Sequence, residues 1–228
     1  MDNEHAFSEA ERAAVYKCIE TRRDVRGEFL SEPIPGPVLA RLLLAAHCAP
    51  SVGLSQPWNF IVVKNPAVKE LVYQGFREAN GEAAQKFAGR SEDYRALKLE
   101  GIRDAPIGVC ITCDRSRGGK VVLGRTHQPE MDLYSAVCAV QNFWLAARAE
   151  GVGVGWMSII DPQRLRDILG IPCEIVPIAY LCVGYVSSFF TSPELEQRGW
   201  TKRESLKSLV SIDSWRNPNA DDELLRQL

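Results

Sequence analysis

No apolar run in this chain approaches the roughly 20 residues that a membrane-spanning helix needs, so no such segment is expected. The opening residues, MDNEHAFSEAERAA, are acidic and lack the basic-then-apolar layout of a secretory leader. Charge of one sign is missing too: 27 Lys and Arg interleave with 29 Asp and Glu, to a formal net charge of −2. Without a broad positive field, nucleic acid and anionic membrane are excluded as main partners. A soluble, cytoplasmic protein is the expectation. Histidine is scarce, and His5, His47 and His127 are too scattered to share a metal, so no metal is expected. Two common phosphate cradles are also lacking: no strand is followed by G-x-G-x-x-G, and G-x-x-x-x-G-K-[ST] does not occur. A bound nucleotide would need another anchor for its phosphate.

What is present is a chain of 228 residues, 46% of them hydrophobic, with no low-complexity run, charge block or repeat. One domain over 1–228 with a C-terminal extension is expected. The seven cysteines are odd in number and lie mostly in apolar segments, where reduced cysteine serves as a small hydrophobe. Cys110 and Cys113 have the spacing of a redox or metal pair, but PIGVCITCD reads as a strand, on which positions three apart face opposite sides.

Ser8 and Glu11 have capping-box spacing, and Ala13, Val15, Tyr16 and Ile19 suit a helix ending near Arg22 and Arg23. A second helix runs from Pro37 through LARLLLAAHCA, NFIVVKN is a strand, and PAVKELVYQGFREA a helix with Pro66 in its first turn. After the strand PIGVCITCD comes a polar, glycine-bearing segment around residues 115–130, then the helix LYSAVCAVQNFWLAARAEG with Gly151 just past its end. VGVGWMSII is a further strand, Asp161 and Pro162 open a short helix closed by Gly170, and VPIAYLCVGYV is the last strand. Alternation of strands and helices points to a sandwich with helices on both faces of a sheet, with strand directions left open.

Two features could carry chemistry. TRRDVRGEF places Arg22, Arg23 and Arg26 within five residues at a helix exit, and guanidinium forks match phosphate oxygens in bidentate geometry. Taken alone, the cluster also fits basic residues complementing the negative end of a helix, with Asp24 as a surface ion-pair partner. The second feature, APSVGLSQPWNF, offers backbone N–H groups, the hydroxyls of Ser51 and Ser55 and the amide of Gln56 from a turn-rich loop.

In their order and spacing, RRDVR, APSVGLSQPW, VGVGWMSII and TKRESLKSLV resemble the FMN-dependent nitroreductase superfamily over most of the chain. The resemblance implies an α+β fold: a three-layer sandwich whose central sheet, mixed but mainly antiparallel, is flanked by helices, in a homodimer with FMN at the interface. By the same likeness Arg22, Arg23 and Arg26, with Arg203, would hold the FMN phosphate. Pro50, Ser51, Leu54, Ser55 and Gln56 would line the ribityl chain and ring.

Three departures from the general pattern bear on function. Asp24 stands where serine is usual, Leu54 where asparagine is usual, and WMSII replaces a proline- and glycine-rich turn. They resemble one branch, the aerobic 5,6-dimethylbenzimidazole synthases, or flavin destructases, and the likeness extends through GWMSIIDP and RGWTKRESL. In that branch reduced FMN is the substrate and O2 the co-substrate. The products are the lower ligand of vitamin B12 and erythrose 4-phosphate, and a separate flavin reductase is an expected supplier of FMNH2.

A carboxylate inside an arginine cluster weakens its attraction for phosphate, which gives Asp24 a separate role: a proton acceptor, or a group orienting the ribityl chain. An internal salt bridge shaping the cluster is the alternative. Ser158 would sit beside the flavin as a hydrogen-bonding group, since no histidine or lysine base accompanies it, or as an ordinary strand-end serine. The segment 115–130 is a candidate lid, or an exposed loop or dimer contact. Two competing activities stay open: an NAD(P)H-dependent nitroreductase or flavin reductase, and a non-catalytic flavin-binding protein.

Overall fold

The computed structural model describes residues 5–216 and 222–228; the first four residues of the acidic start lie outside that range. The chain divides after Thr191 into a large unit and a small one, Ser192–Leu228.

In the large unit, helix α1 (Glu9–Thr21) starts at the expected capping box: Ser8 Oγ accepts from the Glu11 amide, and the Glu11 carboxylate accepts from the Ser8 amide at 2.9 Å. Its predicted apolar face is not covered within this unit. No residue of α1 is buried, and Val15, Tyr16 and Ile19 are exposed. Helix α2 (Gly36–His47), strand β1 (Trp58–Val63) and helix α3 (Pro66–Lys86) follow, with Asn65 capping α3 and Pro66 in its first turn. Helix α3 continues past the expected end at Ala79. A short α4 (Ser91–Ala96) precedes β2 (Ile107–Asp114).

Helix α5 (Met131–Ala149), strand β3 (Val152–Met157), helix α6 (Pro162–Leu169) and strand β4 (Ile175–Tyr185) complete the unit. Gly151 and Gly170 take the positive φ expected just past helix ends, 74° and 65°. Strand β3 stops at Met157, short of the predicted Ile160. Ile160 instead turns away to dock against α3, where a Cβ on Gly75 would stand 3.0 Å from Ile160 Cδ1, and Asp161 caps α6 by accepting from the Arg164 amide.

The sheet order is β1-β2-β4-β3 and every strand pair is antiparallel. A parallel bridge, Asp24 to Val154, adds the segment after α1 to the β3 edge. One sheet face packs Val109, Ile111, Leu181 and Val183 against Leu42 of α2 and Val140 and Phe143 of α5. The other packs Cys110, Tyr180 and Cys182 against Val72 and Phe76 of α3 and Leu165 of α6. These three layers match the expected α+β sandwich. Cys110 and Cys113 are both buried, unpaired thiols, and burial pushes each up to about 12, so they are strand side chains, not a reactive pair.

The small unit carries α7 (Glu194–Gln197), α8 (Leu206–Leu209) and α9 (Glu223–Gln227), with Leu206, Leu209 and Trp215 exposed. Among the described residues no helix is long and apolar enough to cross a membrane, and no group of three His, Cys, Asp or Glu could hold a metal.

Candidate active site

The segment leaving α1 lies on β3 because β3 offers no side chains in its way. The Val25 amide donates to the Val154 carbonyl at 3.0 Å, and a Cβ on Gly155 would meet the Val25 carbonyl oxygen at 2.0 Å. Gly153 is equally crowded, its Cβ falling 2.3 Å from Val186 Cγ1. The glycines of VGVGW are thus what permits the arginine segment to reach the sheet.

This contact separates the roles of the four charged residues. Arg22, half-buried, stacks its guanidinium over the Trp144 ring at 4.5 Å and has no ion-pair partner among the described residues. Arg23 points elsewhere, donating to the carbonyls of Glu20, Arg22 and Thr191 at 2.6–2.7 Å. It thereby ties the C-terminal end of α1 to the end of the unit. Asp24 accepts from the Trp156 amide through Oδ1 at 2.9 Å and from Arg26 through Oδ2 at 2.5 Å. Desolvation raises the Asp24 pKa above the ordinary aspartate value, opposed by the Arg26 charge, the Trp156 N–H and Arg22.

The loop 50–56 is held in a conformation that few sequences adopt: Gly53, Leu54 and Gln56 have φ of 52°, 53° and 46°. Ser51 Oγ accepts from the Gln56 amide, and Ser135 Oγ of α5 accepts from the Val52 amide. Pro50 and Leu54 are exposed, Ser51 and Gln56 half-buried, and Ser55 is buried with no hydrogen-bond partner for its hydroxyl among the described residues. A buried hydroxyl without a protein partner is available to a polar ligand atom.

The segment 115–130 packs onto that loop. A Cβ on Gly53 would meet Val122 Cγ1 at 2.7 Å, and one on Gly118 would meet Ser55 Cβ at 3.3 Å. Arg117 clasps the carbonyls of Gln56 and Trp58, both at 2.8 Å, while Arg115 and Arg125 converge on the buried Asp132 at 3.2 Å each. Val121 and Leu123 project into solvent at its crest.

Ser158 follows β3 immediately, exposed, and lines a pocket of about 160 Å³ with Trp156, Ile160, Pro162, Pro177 and Ile178. That volume is too small to take a whole flavin. Trp156 packs against Trp144 with ring centroids 6.3 Å apart, and Met157 is buried in the core. Arg203 lies in the small unit and is exposed. The structure therefore gathers Arg22, Asp24, Arg26 and the β3 end, and separately Ser51, Ser55 and Gln56 under the 115–130 segment. Sequence reasoning missed Trp144, Arg117, Ser135 and the Trp156 amide, because a core tryptophan, a loop arginine and a main-chain donor carry no motif of their own.

The nitroreductase family sequence profile matches residues 19–185, most of the chain. This protein belongs to the nitroreductase family. Within it, the chain is 41% identical over 198 residues to a 5,6-dimethylbenzimidazole synthase of Rhodospirillum rubrum, covering 86% of this chain and 93% of that one. A 5,6-dimethylbenzimidazole synthase of Rhodobacter capsulatus is 35% identical over 195 residues, 85% of this chain and 94% of its own. Among solved structures of the fold, oxidised iodotyrosine deiodinase bound to FMN and 3-iodo-L-tyrosine superposes with a TM-score of 0.71. It is 21% identical, and the match covers 88% of this nitroreductase-family chain and 100% of the deiodinase. The fold inferred from the arginine, loop and glycine motifs is thus the fold observed.

Proposed function

We propose that this chain is an aerobic 5,6-dimethylbenzimidazole synthase, which consumes reduced FMN and O2 and releases 5,6-dimethylbenzimidazole and erythrose 4-phosphate. The observation that carries the reading is the Asp24 carboxylate, fixed by the Trp156 amide and by Arg26 in a chain 41% identical to an enzyme of that name. Reduced FMN supplies the electrons and the carbon skeleton, and O2 is the oxidant.

The residues fit a flavin phosphate and its polar chain. Arg22, braced by Trp144, offers its guanidinium to phosphate, and Ser55 has a buried hydroxyl to give to a polar ligand atom. Arg203 is assigned to the phosphate and Pro50, Ser51, Leu54 and Gln56 to the ribityl chain and ring on the strength of the family pattern. Asp24 orients the ribityl chain and accepts a proton from it, and Ser158 hydrogen-bonds at the reacting edge of the ring. The segment 115–130 acts as the lid that excludes water.

The active form is a homodimer. Val15, Tyr16 and Ile19 of α1 and Tyr134 and Val137 of α5 are exposed apolar side chains that a second copy would cover, and the 160 Å³ pocket requires further walls to enclose a flavin. The reaction is assigned to the cytoplasm, where seven unpaired cysteines stay reduced and a flavin reductase supplies FMNH2.

The test is mass-spectrometric analysis of a single turnover of FMNH2 with O2 on the purified protein, with the oligomeric state read by sedimentation. Dimethylbenzimidazole in proportion to enzyme is the expected result. Recovery of intact FMN overturns the reading in favour of a flavin reductase or a flavin-binding protein, and a flavin-loaded monomer overturns the dimer.

A further inference from the structure

Helix α5 grips the segment leaving α1 at consecutive residues. Arg148 Nε donates to the carbonyl and the hydroxyl of Thr21 at 3.2 and 3.1 Å. Trp144, one helical turn earlier on the same face, holds the next two residues. Its ring lies under the Arg22 guanidinium, 4.5 Å from centroid to Cζ, and its indole N–H donates to the Arg23 carbonyl at 3.2 Å. Trp144 is itself 8% exposed and packs against Trp156, so the ring is a fixed surface and Arg22 is the group that rests on it.

How a guanidinium is held decides what it can still bind. A carboxylate partner takes N–H groups at the guanidinium edge, the same groups that grip phosphate oxygens. An aromatic ring under the flat face takes none of them. Arg22 has no ion-pair partner among the described residues, whereas Arg26 meets Asp24 through Nη2. The other task open to a basic residue here, satisfying the carbonyls at the end of α1, is performed by Arg23, which donates to those of Glu20 and Arg22.

We propose that Trp144 is a positioning residue for the phosphate subsite: its ring fixes the Arg22 guanidinium with the edge donors free, and so sets the preference for FMN over riboflavin. The inference rests on the functional reading above, in which Arg22 holds the flavin phosphate. Without the ring, a long side chain must lose its rotamer freedom when the phosphate binds. With it, that ordering is complete before the flavin arrives. Riboflavin has no phosphate for Arg22 to meet, so its affinity does not depend on how Arg22 is held.

Fluorescence titrations with FMN and with riboflavin test this on wild type, Trp144→Leu, Trp144→Phe, Arg22→Ala and the double variant Arg22→Ala/Trp144→Leu. Trp144→Leu is expected to weaken FMN binding about three- to tenfold and to leave riboflavin within about twofold. Trp144→Phe keeps an aromatic face without the N–H and should lose less. In the Arg22→Ala background, Trp144→Leu should weaken FMN binding no further. Equal losses for both flavins, unchanged FMN affinity, or the same loss with and without Arg22 each overturn the proposal. A measurement on wild type depends on no variant folding: the Arg22 Nε–H proton, assigned by its absence from Arg22→Ala, should be shifted upfield by the indole ring and stay so when FMN is added. Its return to the ordinary arginine position on adding FMN overturns the proposal. FMN affinity unchanged in Arg22→Ala instead overturns the reading of Arg22 as a phosphate ligand.

Discussion

Asp24 and Trp156 stand 132 positions apart in the chain and are joined by one hydrogen bond, from the Trp156 amide to Asp24 Oδ1 at 2.9 Å. That bond sets the arginine segment against β3 two residues before Ser158, so the two residues assigned to chemistry both lie at the Met157 end of that strand. Its consequence is that binding and catalysis can be separated by mutation.

Asp24→Asn keeps the shape of the side chain and removes its charge, and Ser158→Ala deletes a single exposed hydroxyl. Both variants should fold, bind FMN and yield no dimethylbenzimidazole. Product yield in a single turnover, with flavin occupancy measured in the same sample, is the check. Wild-type yields at full occupancy would remove both residues from the chemistry.

Arg22 and Arg23 should respond differently to truncation. Arg22→Ala is expected to weaken FMN binding about 10- to 100-fold, the loss of a charged hydrogen bond worth about 1.5–3 kcal/mol. Arg23→Ala removes donors to three carbonyls and should cost about 1–3 kcal/mol of stability with a smaller effect on affinity. Fluorescence titration with FMN and urea unfolding of each variant distinguish them.

Gly155→Ala should be poorly tolerated, since its Cβ would fall 2.0 Å from the Val25 carbonyl oxygen and push the arginine segment off the sheet. A loss of about 2–3 kcal/mol in urea unfolding is expected, with weaker FMN binding. Gly119→Ala has open space but a φ of 87°, and so tests strain without a clash.

Asp132 is 1% exposed and receives Arg115, Arg125 and the Leu133 amide. Asp132→Ala leaves two arginines without their shared partner and is expected to cost about 3–5 kcal/mol. Faster proteolysis within 115–130 would locate that loss in the segment over Ser55.

Cys110, Cys113 and Cys182 have thiols pushed up to about 12 by burial, so the folded chain keeps their protons where the unfolded chain, from about pH 9, gives them up. Folded protein then binds more protons than unfolded, and stability falls as pH rises from 9 towards 12. Urea midpoints across that range check the sign. At pH 8, iodoacetamide should label exposed Cys48 and Cys173 well before these three, which peptide mass spectrometry reads directly.

The local elements were legible in the sequence because their signals are local. Ser8 with Glu11, Pro66, and Asp161 with Pro162 each place a start signal within one helical turn, Gly170 places a stop signal just past α6, and each marks a helix end observed. The family, too, was readable from a few short motifs in order. What tertiary structure decided was the partner of each charge. RRDVR places three guanidinium groups side by side, but nothing in that spacing says that Arg22 lies on Trp144, Arg23 on carbonyls and Arg26 on Asp24. Those assignments depend on β3 presenting glycines and a free amide, and on α5 presenting a tryptophan, all more than 100 residues away. The apolar stripe of α1 was visible in the sequence, and only the folded unit revealed that its own core leaves Val15, Tyr16 and Ile19 uncovered, because hydrophobic periodicity records that a face is apolar and carries no information about which surface meets it.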